Sequence, residues 1–368
     1  MVMSKPHSKS IPIWTWIAPI LASILLLLTF TQLIPATAPV LVLAAILLGA
    51  SVFAAVHHAE VLAIKLGEPF GSILLAVAVT IIEVGLIVSI MFSSVQGSES
   101  VARDTIYSAV MIVLNGVVGL CLVIGGSRHF EQTFQLQGAS SALAVLGTLA
   151  GLTLILPNYT ITAAGPYYSA VQLVLVGIAS LMLWSVFVFV QTVKHRDYFL
   201  DSTSDAEAAD AAHEKPRNWV ALVSLILLLV SLDAVVLLAK LLSYPLDMGV
   251  RASGLPPAFV GVIIAGITLL PEGFAAAKSA LRNRLQNSIN LSVGSAIASI
   301  GLTIPTVAMV SLRLDQQLVL GVSPAQLTLL VLTLFVSTLT LGTGRTTVLQ
   351  GVIHLIIFAA FLLISAVP

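Results

Sequence analysis

Over 368 residues the chain is 58% hydrophobic and 9% charged, with mean hydropathy +1.08 and formal net charge zero. Soluble domains carry about 25% charged residues, so this is a polytopic membrane protein and not an enzyme with an anchor. No basic block is present to recruit nucleic acid. The single cysteine, Cys121, lies in an apolar run, can form no intrachain disulfide, and reads as a small buried hydrophobe.

A spanning helix needs about 20 mostly apolar residues. Apolar runs between Gly, Pro and charged breaks predict eleven, over roughly 11–33, 38–64, 71–95, 104–127, 138–156, 166–193, 218–243, 255–279, 285–312, 321–341 and 346–366. Lys5 and Lys9 precede the first run, and Ala36-Thr37-Ala38 resembles a signal-peptidase site. The run from Ile11 to Phe30 exceeds the about 7–15 residues of a signal core, so a retained helix is expected. One connection is long and polar, Lys194–Arg217, with the acidic centre DSTSDAEAAD. A solvated loop or short amphipathic helix is expected there.

Loop charge orients these spans. With the N-terminus cytoplasmic, only Arg103, Lys240, Arg251 and Arg313 fall outside, and the other twelve of the 16 Lys and Arg fall inside. That puts the acidic loop in the cytoplasm and the C-terminus outside, across a bacterial inner membrane. Residues 1–37 then hold a cytoplasmic segment and the first helix. Five helices follow over 38–193, then the acidic loop over 194–217, then five helices over 218–368. An odd number of helices per unit inverts the second unit relative to the first, the plan of many secondary transporters. The expected fold is thus all-α, one extra N-terminal helix plus two inverted five-helix repeats.

The chemistry centres on Glu83 and Glu272, each in the second helix of its unit. A carboxylate in hydrocarbon is costly, about 2.5–3.5 kcal/mol for the related Asp at a helix centre. No basic residue lies in either segment core, since Lys65 and Lys278 sit near the inner ends. Such a carboxyl holds a proton until a cation replaces it, which is the physics of an exchanger. Thr80 and Thr268 lie one turn before the two glutamates, on the same helix faces. Pro271 removes a backbone donor and frees the Ile267 carbonyl, as in the broken helices of transporters.

Ser288, Ser292, Ser295, Ser299 and Thr303 form one stripe on the ninth span. The matching face of the fourth holds Thr105, Ser108, Asn115 and Gly119. Small residues also let helices pack closely in lipid, and for most of these positions packing is the expectation. Asn115 needs partners for its amide and is a candidate cation ligand or supporting group, with Ser295 and Ser299. Asp233 lies mid-span, either paired with Lys240 or lining water. His57, His58 and Glu60 cluster at the inner end of the second span, as an entry or proton relay or as interfacial residues. His354 reads as an isolated packing histidine.

The stretches GEPFGSILLAVAVTIIE (67–83), ARDTIYSAVMIVLNGVVGLC (102–121) and LLPEGFAAAKSALRNRLQNSINLSVGSAIASIGLTIP (269–305) resemble the cation/proton exchanger family of the calcium/cation antiporter superfamily, in its bacterial ChaA-type calcium/proton form. The resemblance covers nearly the whole chain. It implies the fold of one extra helix and two inverted repeats, with cation export driven by proton entry. By position Glu83 and Glu272 match the acidic residues of the two family repeats. Asn115 matches the Asn of the helix that follows in the first, and Gly294-Ser295-Ala296 matches its Gly-Ser-Ala counterpart. The chain departs from the family's Gly-Asn-Ala before each Glu. Thr80 and Leu269 stand at the Asn positions, and Gly273 follows Glu272 where the family often has His.

The expected activity is exchange of cytoplasmic Ca2+ for external protons by alternating access. Ca2+ seeks 6–8 oxygens, which Glu83, Glu272, Thr80, Thr268, Asn115, Ser299 and freed carbonyls can offer. Exchange of Na+ or K+ for protons at the same site is the alternative. Rivals are an intramembrane enzyme, for which His57, His58 and Glu60 supply no HExxH motif, and a passive cation channel. Beyond the transported ions and the bilayer, no cofactor and no nucleic-acid partner is expected.

Overall fold

The computed structural model describes residues 12–67, 70–92, 98–200 and 216–368. The basic N-terminal segment with Lys5 and Lys9, and residues 201–215 of the acidic connection, lie outside the described residues. Eleven helices account for nearly all of the rest: α1 (Trp14–Phe30), α2 (Ala38–Leu66), α3 (Phe70–Met91), α4 (Val101–His129), α5 (Leu136–Tyr159), α6 (Ala170–Lys194), α7 (Asn218–Ala252), α8 (Phe259–Leu281), α9 (Leu285–Leu314), α10 (Pro324–Leu341) and α11 (Val348–Ala366). Ten are long and apolar enough to cross a bilayer, and α1, at 17 residues, is shorter. Helices are what such sequences must form, because hydrocarbon offers backbone groups no partner but their own ladder.

Local signals place the ends. Ser169, Ser323 and Thr347 open α6, α10 and α11 with capping boxes completed by Gln172, Gln326 and Gln350. Gly67 and Gly254, at φ 74° and 73°, supply the left-handed backbone that lets the chain turn after α2 and α7. The longest departure from expectation is α7, which continues through Pro245 to Ala252 instead of stopping near residue 243. Another is α4, where residues 112–117 form a single π-turn.

The spans alternate in direction, so their ends sort onto two faces. One collects Lys65, Arg128, Lys194, Lys278, Arg282 and Arg284 at helix ends, and is called here the basic face. After α1 come α2 to α6 and then α7 to α11, five and five, the second set entering from the opposite face. A two-residue antiparallel pair, Gln132–Thr133 with Arg345–Thr346, ties the repeats together on the basic face. A bridge from Tyr167 to Val319 does so on the other.

Burial orders the layers. The central windows of α4 and α9 are 67% and 61% buried, against 28% for α6 and α10 and 22% for α11. The inner layer is therefore α3, α4, α8 and α9, two helices from each repeat. Glycines allow close approach within it: a Cβ on Gly261 of α8 would stand 2.6 Å from the Asp104 carbonyl carbon of α4. Helix α1 packs outside, against α2 and α7.

Candidate functional site

Glu83 and Glu272 line one cavity of about 400 Å³ between α3, α6, α8 and α9. They are 4% and 8% exposed, and among the described residues neither has an ion pair. Glu83 Oε1 accepts a 2.6 Å hydrogen bond from the Ser299 hydroxyl, a bond that crosses from α9 of the second repeat to α3 of the first. Glu272 Oε2 is buried with no hydrogen-bond partner among the described residues. Two carboxylates sharing low-dielectric space cannot both stay charged without a cation.

Both threonines belong to the same wall. The Thr80 hydroxyl donates to the Ala76 carbonyl at 2.8 Å, and Thr268 donates to Ile264 and Ala265 at 3.1 Å. Each proton is thus directed back along its own helix, leaving oxygen lone pairs for the cavity. Ser295 and Ser299 complete the wall from α9. With the carboxylates these groups offer only oxygen, the ligand type of hard cations.

The cavity has a direction. From Glu83, Thr268 and Ser299 its lining runs to Gln191, Ser279 and Asn287, near the basic-face ends of α6, α8 and α9. Toward the opposite face α4 packs closely on α8 at Asp104 and Gly261, and neither residue lines the cavity. Arg103 and Asp104 form an ion pair at 2.7 Å beside that contact.

Several expected residues fall elsewhere. Asn115 is fully buried but does not line the cavity; its Nδ2 donates to Thr333 at 2.9 Å and its Oδ1 meets His354 Nδ1 at 3.0 Å. Both ends of the amide are thus engaged by side chains of the second repeat. His354 is correspondingly not an isolated packing residue, since its Nε2 also meets the Thr340 hydroxyl at 3.1 Å. Helix α8 is not broken at Pro271 but continues to Leu281, although proline still gives the Ile267 carbonyl no donor. Of the α9 stripe, Ser288 donates to the Ala276 carbonyl, and Ser292 and Thr303 are buried without partners.

The charged and histidine candidates do not line the cavity. His57 and His58 turn toward α1: the His57 ring is 6.1 Å from that of Trp14, and His58 Nε2 is 3.2 Å from the Thr15 carbonyl. Glu60 is exposed near the basic-face end of α2. Asp233 and Lys240 are both exposed on the outer side of α7. Among the described residues no ion pair joins them, and Asp233 does not line the cavity that holds the glutamates.

Other lining residues carried weaker sequence signals. Trp184 and Phe187 of α6 form an apolar wall, and Asn287 and Asn290 place amides at the mouth. The two amides precede Gly294 and Ser295 at helical spacing, a pattern that could have extended the serine stripe toward the basic face. Nothing in the α6 sequence distinguishes Trp184 from a lipid-facing aromatic.

The family described as sodium/calcium exchanger protein matches residues 36–193 and 223–367. Among curated relatives, y4hA of Sinorhizobium fredii, described only provisionally as an ionic transporter, is 58% identical over 98% of both chains. The sodium-potassium/proton antiporter ChaA of Escherichia coli is 35% identical over 94% of both. A Ca(2+)/H(+) antiporter of Aphanothece halophytica is 25% identical over 74% of this chain and 77% of its own. Among solved structures, native YfkE superposes with TM-score 0.72 at 15% identity, covering 96% of this chain and all of the other.

Proposed function

Because the chain belongs to the sodium/calcium exchanger family and is a cation/proton antiporter of the membrane, we propose that Glu83 and Glu272 together are its exchange site. The observation that carries this reading is their shared cavity: two acids with no basic partner among the described residues, ringed by hydroxyls, in a lining that runs toward the basic-face helix ends. Two carboxylates are neutralised either by one divalent cation or by two protons. A neutral load passes between faces cheaply, whereas the empty doubly charged site does not. Exchange follows from that difference.

With the basic face cytoplasmic, in a bacterial inner membrane, the cavity is the inward-open state and the C-terminus is external. The resting load on this reading is a cytoplasmic cation entering past Asn287 and Gln191. Charge balance favours Ca2+, which is also the ion named for the Aphanothece relative. A second reading, Na+ or K+, is supported by the sodium-potassium/proton antiporter at 35% identity and by the absence of asparagine at the Thr80 and Leu269 positions.

The test is proton release from acid-loaded proteoliposomes on adding Ca2+, Na+ or K+ in turn. Wild type is expected to release protons with at least one of them, and Glu83→Gln and Glu272→Gln with none. Normal release by either variant refutes the assignment. The cation that gives the lowest half-maximal concentration selects between the two readings.

A further inference from the structure

Each glutamate is the fourteenth residue of its helix, Glu83 counted from Phe70 and Glu272 from Phe259. Ser299 and Asn115 are each the fifteenth of theirs, counted from Leu285 and Val101. Ser299 crosses from the second repeat to Glu83 in the first. The inverted arrangement gives that contact one mate, Asn115 of the first repeat with Glu272 of the second.

That mate is not formed. Asn115 is held by Thr333 and His354, while Glu272 Oε2 is buried without a donor. The two lie close in the fold nonetheless, because Val117 packs against Gly273: a Cβ there would be 3.4 Å from Val117 Cγ2. Asn115 also sits in the π-turn of α4. A π-turn carries one surplus residue and is common at functional sites, and rewinding it would change which way Asn115 faces.

We propose that His354 is a positioning residue that latches Asn115 away from Glu272 in this arrangement, and that Asn115 transfers to Glu272 when the cavity opens to the other face. The proposal rests on the alternating-access reading above. Histidine suits the task. With Asn115 Nδ2 donating to Thr333, the amide oxygen takes the proton of His354 Nδ1, and His354 Nε2 accepts from the Thr340 hydroxyl. Gly119 lets α11 come near enough for this, since a Cβ there would stand 2.9 Å from His354 Cβ. Without the latch, the buried acceptor on Glu272 competes for the same amide.

A reporter cysteine at Ser279, on a Cys121→Ala background, reads the open state by its rate of labelling with a membrane-impermeant maleimide supplied to the basic face. His354→Leu is expected to slow labelling at least threefold as the population shifts. His354→Gln, whose amide can still donate to Asn115, should label near the parental rate. Adding Asn115→Ala to His354→Leu should restore the rate, because it removes the bond on both sides of the equilibrium. If His354→Leu does not fold, Thr340→Val removes the hydroxyl behind the ring and should slow labelling in the same direction. Labelling at the parental rate in folded His354→Leu, or slowing that Asn115→Ala does not relieve, overturns the proposal. Wild type without proton-coupled cation flux sinks the antiport reading instead, whereas intact flux with undiminished labelling sinks only the latch.

Discussion

At the scale of single residues, the hydrogen bond from Ser299 to Glu83 is the most specific polar contact in the site. It joins the two repeats at 2.6 Å and involves a carboxyl 4% exposed. Hydrogen bonds to charged groups contribute about 1.5–3 kcal/mol, so Ser299→Ala should raise the half-maximal cation concentration by about tenfold or more. Ser292, two turns earlier on the same helix, is buried without a partner and does not line the cavity. Ser292→Ala should therefore leave that concentration within about twofold, as expected for a small residue with a packing role. Cation-dependent proton release measured on both variants checks the pair. Equal effects would show that the stripe acts as packing throughout. The glutamates, threonines and serines were legible in the sequence because helical spacing fixes which residues share a face. The partners of Asn115 were not, because Thr333, Thr340 and His354 come from helices more than 200 residues away and no local spacing announces them.

At the scale of helices, apolar run length found all eleven described helices, ten of them long enough to cross a bilayer, because each span must bury about 20 apolar residues. It failed at the C-terminal end of α7, where Ser243, Tyr244 and Pro245 read as a break. Proline there removes one ladder bond, yet Ser243 donates to the Lys240 carbonyl and the helix continues. The close packing of α4 on α8 depends on size and not on hydropathy. Alanine at Gly261 would put its Cβ 2.6 Å from Asp104 backbone, whereas Gly266, five residues on in α8, has open space around it. Overpacking costs about 1–3 kcal/mol, and Gly→Ala in an unhindered helix gains up to about 1 kcal/mol. Gly261→Ala should thus lower the thermal midpoint in detergent, and Gly266→Ala should hold or raise it. A fall of equal size in both would mean that helix propensity, not the α4–α8 contact, governs this segment.

For the molecule as a whole, loop charge and cavity direction are independent observations that meet on one face. The Lys and Arg that mark the basic face lie at helix ends, while the cavity is defined by side chains deep in α3, α6, α8 and α9. On the proposed orientation, with that face cytoplasmic, ions from the cytoplasm reach the glutamates in this arrangement. Asn287 stands at the mouth and is exposed. In a Cys121→Ala background, Asn287→Cys should react with an impermeant maleimide in inside-out vesicles and resist it in right-side-out ones. Cysteine at Arg251, on the last turn of α7 at the other face, should show the reverse. Saturating the transported cation should slow the Asn287 reaction if the ion binds the opposite-facing state better and speed it if it binds this one better, since an ion held at the glutamates stabilises whichever state binds it better. Labelling of Asn287→Cys from the outside alone would invert the topology and turn the same cavity into an external vestibule.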